Sequence, residues 1–344
     1  MGALINLSAS FEAFTLDFKR PSGTSRGILT QKKGWKLKLT NSEGVTGLGE
    51  CSVIPGLSPD YSSDEAYEKK LSEVCQSPLR FIEDKILLID YPSILFGLES
   101  AWLDLQNGGK RVYFEAAKTT PGFSIPINGL IWMGDAEYMQ SQIEEKLASG
   151  FTCIKLKIGA IDFKQELKLL EGIRSRYDAS KITLRVDANG AFSMNDAHQK
   201  LEELAQFDLH SIEQPIKAGA WNDMKTLCEA TPLPIALDEE LIGINETRQK
   251  ITLLDTINPQ YIILKPSLHG GFSGSKEWIE LAEQRQIPWW ITSALESNIG
   301  LNAIAQFTAD YKPELPQGLG TGGLYETNFD APLKIENGYL KYEN

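Results

Sequence analysis

From about residue 124 the chain repeats one grammar, a short apolar run followed by a helical stretch, and this repetition restricts the fold more than any other feature. The runs are IPINGLIWM (125–133), TCIKLKIG (152–159), ITLRVDAN (182–189), LHSIEQP (209–215), LPIALDEE (233–240), QYIILKP (260–266) and IPWWITSA (287–294). Each has the length and apolar content of a strand buried on both faces. Between them lie helical patterns such as DAEYMQSQIEEKLASG (135–150), with Gly150 placed as a C-terminal cap. Strands alternating with helices make βαβ units and a parallel sheet. Seven or eight such units without a dinucleotide-binding glycine turn fit a closed barrel better than a doubly wound sheet. The expected fold is therefore α/β, a TIM-like (β/α)7β barrel.

The first third reads differently. GWKLKLTNSEGVTGLGECSV (34–53) alternates on both sides of a turn at 41–44, which signals a hairpin. Helical patterns follow at 62–76 and 91–107. With 344 residues the chain exceeds what one core accommodates well, so two domains are expected. We place an α+β capping domain at 1–122, completed by the hairpin-like tail 325–344, and the barrel at 123–324.

Charge is distributed along the barrel pattern in a telling way. Lys157, Asp187, Glu213, Asp238 and Lys265 each close an apolar run, at intervals of 25–30 residues, one βα unit apart. Each strand thus delivers one charged group to the same C-terminal rim. Lys155 lies two residues before Lys157 and shares its face. Two ammonium groups so close disfavour each other's charge, so at least one of the pair should have a lowered pKa. A single charged strand end is usually just solvated. Five in register, with the carboxylates contiguous, form a constellation.

Three carboxylates without histidine or cysteine make an oxygen-only site for a hard dication, Mg²⁺, with Mn²⁺ able to substitute. Lysines on both sides of the carboxylate arc suit removal of a proton next to a carboxylate, with a flanking lysine taking the proton.

These motifs resemble those of the enolase superfamily, in the muconate-lactonizing-enzyme-like subgroup with a KxK on the second strand and a lysine on the sixth. The resemblance is carried by PINGLIWMG (126–134), KLKIG (155–159), RVDANGAF (185–192), IEQP (212–215), ALDEEL (236–241), KPSLHGG (265–271), TSALESNIG (292–300) and GLGTGG (318–323). Within the superfamily the chain looks most like the o-succinylbenzoate synthase family of menaquinone biosynthesis. The resemblance implies that Asp187, Glu213 and Asp238 hold the metal and that Lys157 is the base. It also implies that Lys265 stays cationic, that Lys155 tunes Lys157, and that the reaction is a loss of water. Racemisation of an N-acylamino acid, or epimerisation of a dipeptide, would use the same two lysines. Dipeptide epimerases typically carry Asp-x-Asp after the last strand, where GLGTGG has no acid. A barrel without catalysis is disfavoured because all five charged positions are intact.

Further candidates surround this set. Asn189 shares the face of Asp187, and Glu239 and Glu240 follow Asp238 as supporting groups. Ser293, Glu296 and Ser297, before a helix at NIGLNAIAQ, are placed to hold a substrate carboxylate at its N-terminus. Gly320 and Thr321 offer further donors. The loop 51–60, with Ile54, Pro55 and Leu57, is placed to close over the barrel mouth. His198, His210 and His269 form no dyad with an aspartate at a strand end. Of Trp289 and Trp290, at least one must face outward.

Composition narrows the partners. A net charge of −12 argues against nucleic acid and anionic membranes, yet local lysines and a metal can still hold a small anionic dicarboxylate. Cys51, Cys75, Cys153 and Cys228 are widely spaced, as expected of reduced thiols in a cytoplasmic protein. The first residues lack a signal-peptide pattern. Barrels of this type often associate, so a homo-oligomer is also compatible.

Overall fold

The structure is a computed structural model and describes residues 6–24, 27–119 and 122–343. Three antiparallel strands come first: β1 (Leu7–Thr24), β2 (Gly27–Asn41) and β3 (Thr46–Val53), in that order in the sheet. The expected turn joins β2 to β3. The Asn41 side chain accepts from the N–H groups of Glu43 and Val45, and Gly44 takes a φ of +82°. β1 has no counterpart among the strands read from the sequence, and the reason is a change of phase. Leu7, Ala9 and Phe11 pack into the core of the first third, whereas Phe14, Leu16 and Phe18 pack into a different cluster with Trp132, Leu268 and Leu295. One strand serves two cores, so its alternation breaks midway.

Helices α1 (Asp64–Gln76), α2 (Pro78–Glu83), α3 (Pro92–Gln106) and α4 (Glu115–Thr119) complete this third. Ser63 caps α1 by accepting from the N–H of Ala66. The sheet and α3 meet through glycines. A Cβ on Gly49 would stand 1.9 Å from the Gly97 carbonyl oxygen, a backbone atom that cannot swing aside. Gly49→Ala is therefore expected to destabilise the protein by about 2–3 kcal/mol, because overpacking forces strand and helix apart. Chemical denaturation would show this as a lowered midpoint; an unchanged midpoint would mean that the two elements separate at no cost.

The remaining chain alternates as expected. It runs β4 (Ser124–Pro126), β5 (Gly129–Ile131), α5 (Ala136–Ala148), β6 (Cys153–Lys157), α6 (Phe163–Arg174), β7 (Thr183–Asp187) and α7 (Met194–Ala205). It continues through β8 (Ser211–Glu213), α8 (Trp221–Ala230), β9 (Ile235–Leu237), α9 (Thr247–Ile257), β10 (Tyr261–Leu264), α10 (Gly271–Glu283), β11 (Trp289–Ile291) and α11 (Asn298–Asp310). Strands β5 to β11 form one curled, seven-stranded parallel sheet in sequential order. The segment 317–318 makes parallel bridges to Ile127 on one side and to Thr292 on the other. Gly150 takes a φ of +80° just beyond α5. Trp290 is buried, while Trp289 is turned towards Tyr311.

The tail splits its contacts. Tyr325 bridges Phe18, and Phe329 meets Phe14 edge to face at 5.1 Å. The final hairpin, β12 (Leu333–Glu336) and β13 (Tyr339–Tyr342), pairs with β4 and not with β1–β3. Among the described residues no helix is long and apolar enough to cross a membrane. All four cysteines are free, and Cys51, Cys153 and Cys228 are buried.

Candidate active site

The register of the parallel sheet assembles the site. Lys157 pairs with Asp187, and Asp187 with Glu213, at the C-terminal ends of β6, β7 and β8. Asp238 and Lys265 follow β9 and β10 by one residue. All five, with Lys155, line one cavity of about 110 Å³. The spacing argument thus picks out residues that the fold brings together. Lys157 and Lys265 reach the cavity from the two sides of the carboxylate arc.

The carboxylates are nearly inaccessible to solvent and meet the ammonium groups directly. Lys155 Nζ donates to Glu213 Oε2 at 2.5 Å and lies 2.9 Å from Asp187 Oδ2. Lys157 Nζ donates to Asp187 Oδ2 at 3.0 Å and to Asn189 Oδ1 at 2.7 Å. Lys265 donates to Asp238. Asn189, at a φ of +43°, passes the contact on, since its Nδ2 donates to Glu239 Oε1 at 3.0 Å. Gly320, Thr321, Ser293 and Glu239 also line the cavity, with the Ser293 and Thr321 hydroxyls 2.6 Å apart.

At Lys155 the electrostatics run against the repulsion expected from its neighbour. Burial works against the charge on Lys155, but Asp187, Glu213 and Asp238 outweigh it and hold its pKa above the usual lysine value. The repulsion expected between Lys155 and Lys157 is overridden at Lys155 because carboxylates lie against it. Lys265 is raised in the same way, with burial opposed by Asp238, Glu239 and Glu213. Burial works against the Asp187 carboxylate too, yet Lys155 and Lys157 hold its pKa below the ordinary range. Glu213 lies above that range, through burial and the neighbouring Asp187 charge.

Two other candidates stand elsewhere. The N-terminus of α11 already holds a carboxylate, that of Glu50 from β3. Ser297 donates to it through its N–H at 2.9 Å and its hydroxyl at 2.5 Å, and the Gly300 N–H donates at 2.8 Å. Glu296 accepts from the Ser267 hydroxyl and the Ala294 N–H. Both Glu296 and Ser297 therefore face the junction with the first third and not the cavity, which corrects their placement as substrate contacts. Glu240 holds Gln214 and the Gly219 N–H.

Some residues of the site escaped the reading of strand ends. Asn128, Leu130 and Trp132 line the cavity from one face of PINGLIWMG, and that period of two was legible. Gln214, between Glu213 and Pro215, accepts from the N–H groups of Asp238 and Glu240 and so fixes the third carboxylate. Its side chain turns that way at a φ of +39°, which a strand pattern does not forecast. Ile54 and Leu57 of the 51–60 loop line the same cavity.

The donor set suits a hard dication. Asp238 Oδ1 is buried and accepts no hydrogen bond, and the other donors on offer are carboxylate oxygens. Among the described residues no three acidic, histidine or cysteine side chains are grouped as they would be around a metal ion, and Lys155 and Lys265 lie against the three carboxylates.

Residues 138–344 match the family model described as enolase C-terminal domain-like. The chain is 48% identical to an o-succinylbenzoate synthase of Desulfotalea psychrophila, over 97% of this chain and 98% of that one. An L-Ala-D/L-Glu epimerase of Bacillus subtilis is 27% identical, over 60% of this chain and 54% of its own length. Among solved structures, MenC from Desulfotalea psychrophila LSv54 superposes with a TM-score of 0.85 at 44% identity, covering 97% of this chain and 99% of that one.

Proposed function

Because the chain belongs to the enolase superfamily, we propose that it catalyses the o-succinylbenzoate synthase reaction, the Mg²⁺-dependent loss of water from 2-succinyl-6-hydroxy-2,4-cyclohexadiene-1-carboxylate. The observation that carries this reading is the pair of lysines, Lys157 and Lys265, flanking three buried carboxylates in one cavity. The enzyme is a lyase in this reading and releases 2-succinylbenzoate. We read the curled sheet as a (β/α)7β barrel, with 317–318 as its last strand. Residues 1–122 form the cap and 123–324 the barrel, with the tail 325–344 divided between them, Tyr325 and Phe329 on the cap and the final hairpin on β4. A reducing, cytoplasmic setting suits four free thiols.

Asp187, Glu213 and Asp238 would hold the Mg²⁺, which when bound withdraws electron density from the substrate carboxylate and makes the neighbouring C–H acidic. Lys157, as the free amine, takes the proton from the carbon next to that carboxylate. The electron pair left behind shifts towards the carboxylate, where the Lys265 ammonium faces the developing charge. The Lys157 ammonium then gives its proton to the leaving hydroxyl on the same face. The C–O bond breaks, water departs, and the ring becomes aromatic. Ile54, Leu57, Leu130 and Trp132 exclude bulk water from these steps.

Asn189 orients Lys157 through the 2.7 Å contact at Oδ1. Asn189→Gly keeps the positive φ without strain and removes only the amide. The expected result is a drop in kcat of roughly tenfold with KM little changed, since positioning acts on the proton transfer. An unchanged kcat would reduce Asn189 to a turn residue.

The racemase reading draws support from the same geometry, because two lysines on opposite sides of a cavity can exchange protons with both faces of one carbon. Loss of the diene absorbance with the cyclohexadiene substrate tests the synthase reading, and a silent assay would remove it. Deuterium exchange into N-succinylamino acids tests the racemase.

A further inference from the structure

We infer that His269, in the turn after β10, is a positioning residue for the reaction proposed above: its ring accepts a hydrogen bond from the Lys265 backbone N–H and so sets where the Lys265 ammonium stands in the cavity. The inference rests on that reading of the reaction, in which Lys265 faces the developing charge.

Lys265 follows Leu264, the last residue of β10, so its peptide lies past the end of the strand. The chain then folds back on itself. The Lys265 carbonyl accepts from the N–H groups of Leu268 at 2.8 Å and His269 at 3.0 Å, and the Pro266 carbonyl accepts from the Gly271 N–H at 2.9 Å. These bonds join backbone atoms and would form with almost any side chain at 269. The N–H of Lys265 differs, because it donates to His269 Nδ1 at 2.9 Å. One residue thus grips Lys265 at both its carbonyl and its N–H. Gly270 and Gly271, at φ of +79° and +70°, then turn the chain into α10, where the Phe272 N–H donates to Glu99 of α3 at 2.6 Å. The turn is therefore anchored beyond His269 as well, and the ring holds Lys265 from a fixed base.

The ring is only 2% exposed. Burial drives its pKa down to about 3, so it is neutral at neutral pH. With Nδ1 accepting, the single ring proton sits on Nε2, which is buried and meets no acceptor among the described residues. The directed contact of this ring is the one with Lys265. An apolar side chain would fill the space without burying a polar N–H, so packing alone does not account for an imidazole here.

The consequence falls on the chemistry and not on capture. The Lys265 ammonium meets Asp238, and in the proposed mechanism it faces charge that develops as the carbon proton leaves. A displaced backbone carries the ammonium with it, which weakens the transition state more than the bound substrate. His269 is not part of the lining of this cavity, so it acts on the reaction through Lys265.

The test is a pair of variants of the full-length protein, His269→Leu and His269→Asn, read by steady-state kinetics and by hydrogen exchange at the Lys265 amide. Both remove the ring, but Asn keeps an acceptor, its Oδ1, at the place of Nδ1. In His269→Leu, kcat is expected to fall about tenfold with KM within about twofold, and the Lys265 amide to exchange at least about tenfold faster. His269→Asn should hold kcat within about threefold of wild type, although it leaves the larger void. A ring that serves only to pack predicts the reverse order, with Asn the worse, and that order overturns the inference. So does an unchanged kcat in a folded His269→Leu protein. Should His269→Leu fail to fold, His269→Gln, whose amide begins one atom further out, must give the same fall in kcat, and wild-type turnover there is equally fatal. Exchange at the Lys265 amide needs no substrate. A wild-type chain inactive on the diene would sink the reaction proposal, while exchange in the variants would still decide whether His269 holds Lys265.

Discussion

Lys157→Ala is expected to lower kcat for dehydration by about 10³–10⁴-fold while leaving the protein folded. The magnitude follows from what one amine does in the proposed mechanism, taking the carbon proton and returning it to the departing hydroxyl. A positioned acid–base group is worth about 10²–10⁴-fold, and here one group serves both transfers. The fold should survive because Lys157 ends a strand and turns into the cavity, touching Asp187 and Asn189, while the core beneath it is formed by Ile154, Leu156 and Ile158. Removing it leaves Asp187 paired with Lys155 at 2.9 Å, so no buried carboxylate is stranded. Loss of the diene absorbance gives the rate, and circular dichroism gives the fold. Residual turnover within tenfold of wild type would assign the proton to another group, with Lys265 the first to test.

The strand-end constellation was legible because a parallel strand presents alternate residues to one face and the barrel pattern repeats every 25–30 residues. Lys157, Asp187, Glu213, Asp238 and Lys265 needed no knowledge of contacts between distant segments. What stayed hidden depended on such contacts. Glu50 and Ser297 are 247 residues apart, and nothing local to LESNIG shows that the helix N-terminus is already filled by a carboxylate from β3. β1 escaped because its period of two changes phase between Phe11 and Phe14, as the strand passes from one core to the other. The raised pKa of Lys155 was not legible for a related reason. Sequence proximity to Lys157 was visible, whereas the contact with Glu213 came only with the fold.

Removal of divalent metal by a chelator is expected to abolish dehydration, a loss of at least about 10³-fold, with recovery on adding Mg²⁺ and also on adding Mn²⁺. Several kcal/mol of charge stabilisation separate a lysine able to take this proton from one that is not, and each 1.36 kcal/mol is about tenfold in rate. The stripped protein should keep its fold, because its buried charges already have partners: Lys155 with Asp187 and Glu213, Lys157 with Asp187, and Lys265 with Asp238. The same pairing makes a second arm informative. Asp238→Asn removes a proposed ligand and leaves the Lys265 ammonium beside a neutral amide, so activity should fall as after chelation and added Mg²⁺ should not restore it. Calorimetric titration with Mg²⁺ reads binding without turnover, and Asp238→Asn should weaken it by at least about tenfold. Full activity in chelator, or Mg²⁺ binding unaltered by Asp238→Asn, would remove the metal from Asp187, Glu213 and Asp238 and with it the basis for a lysine acting on a carbon acid.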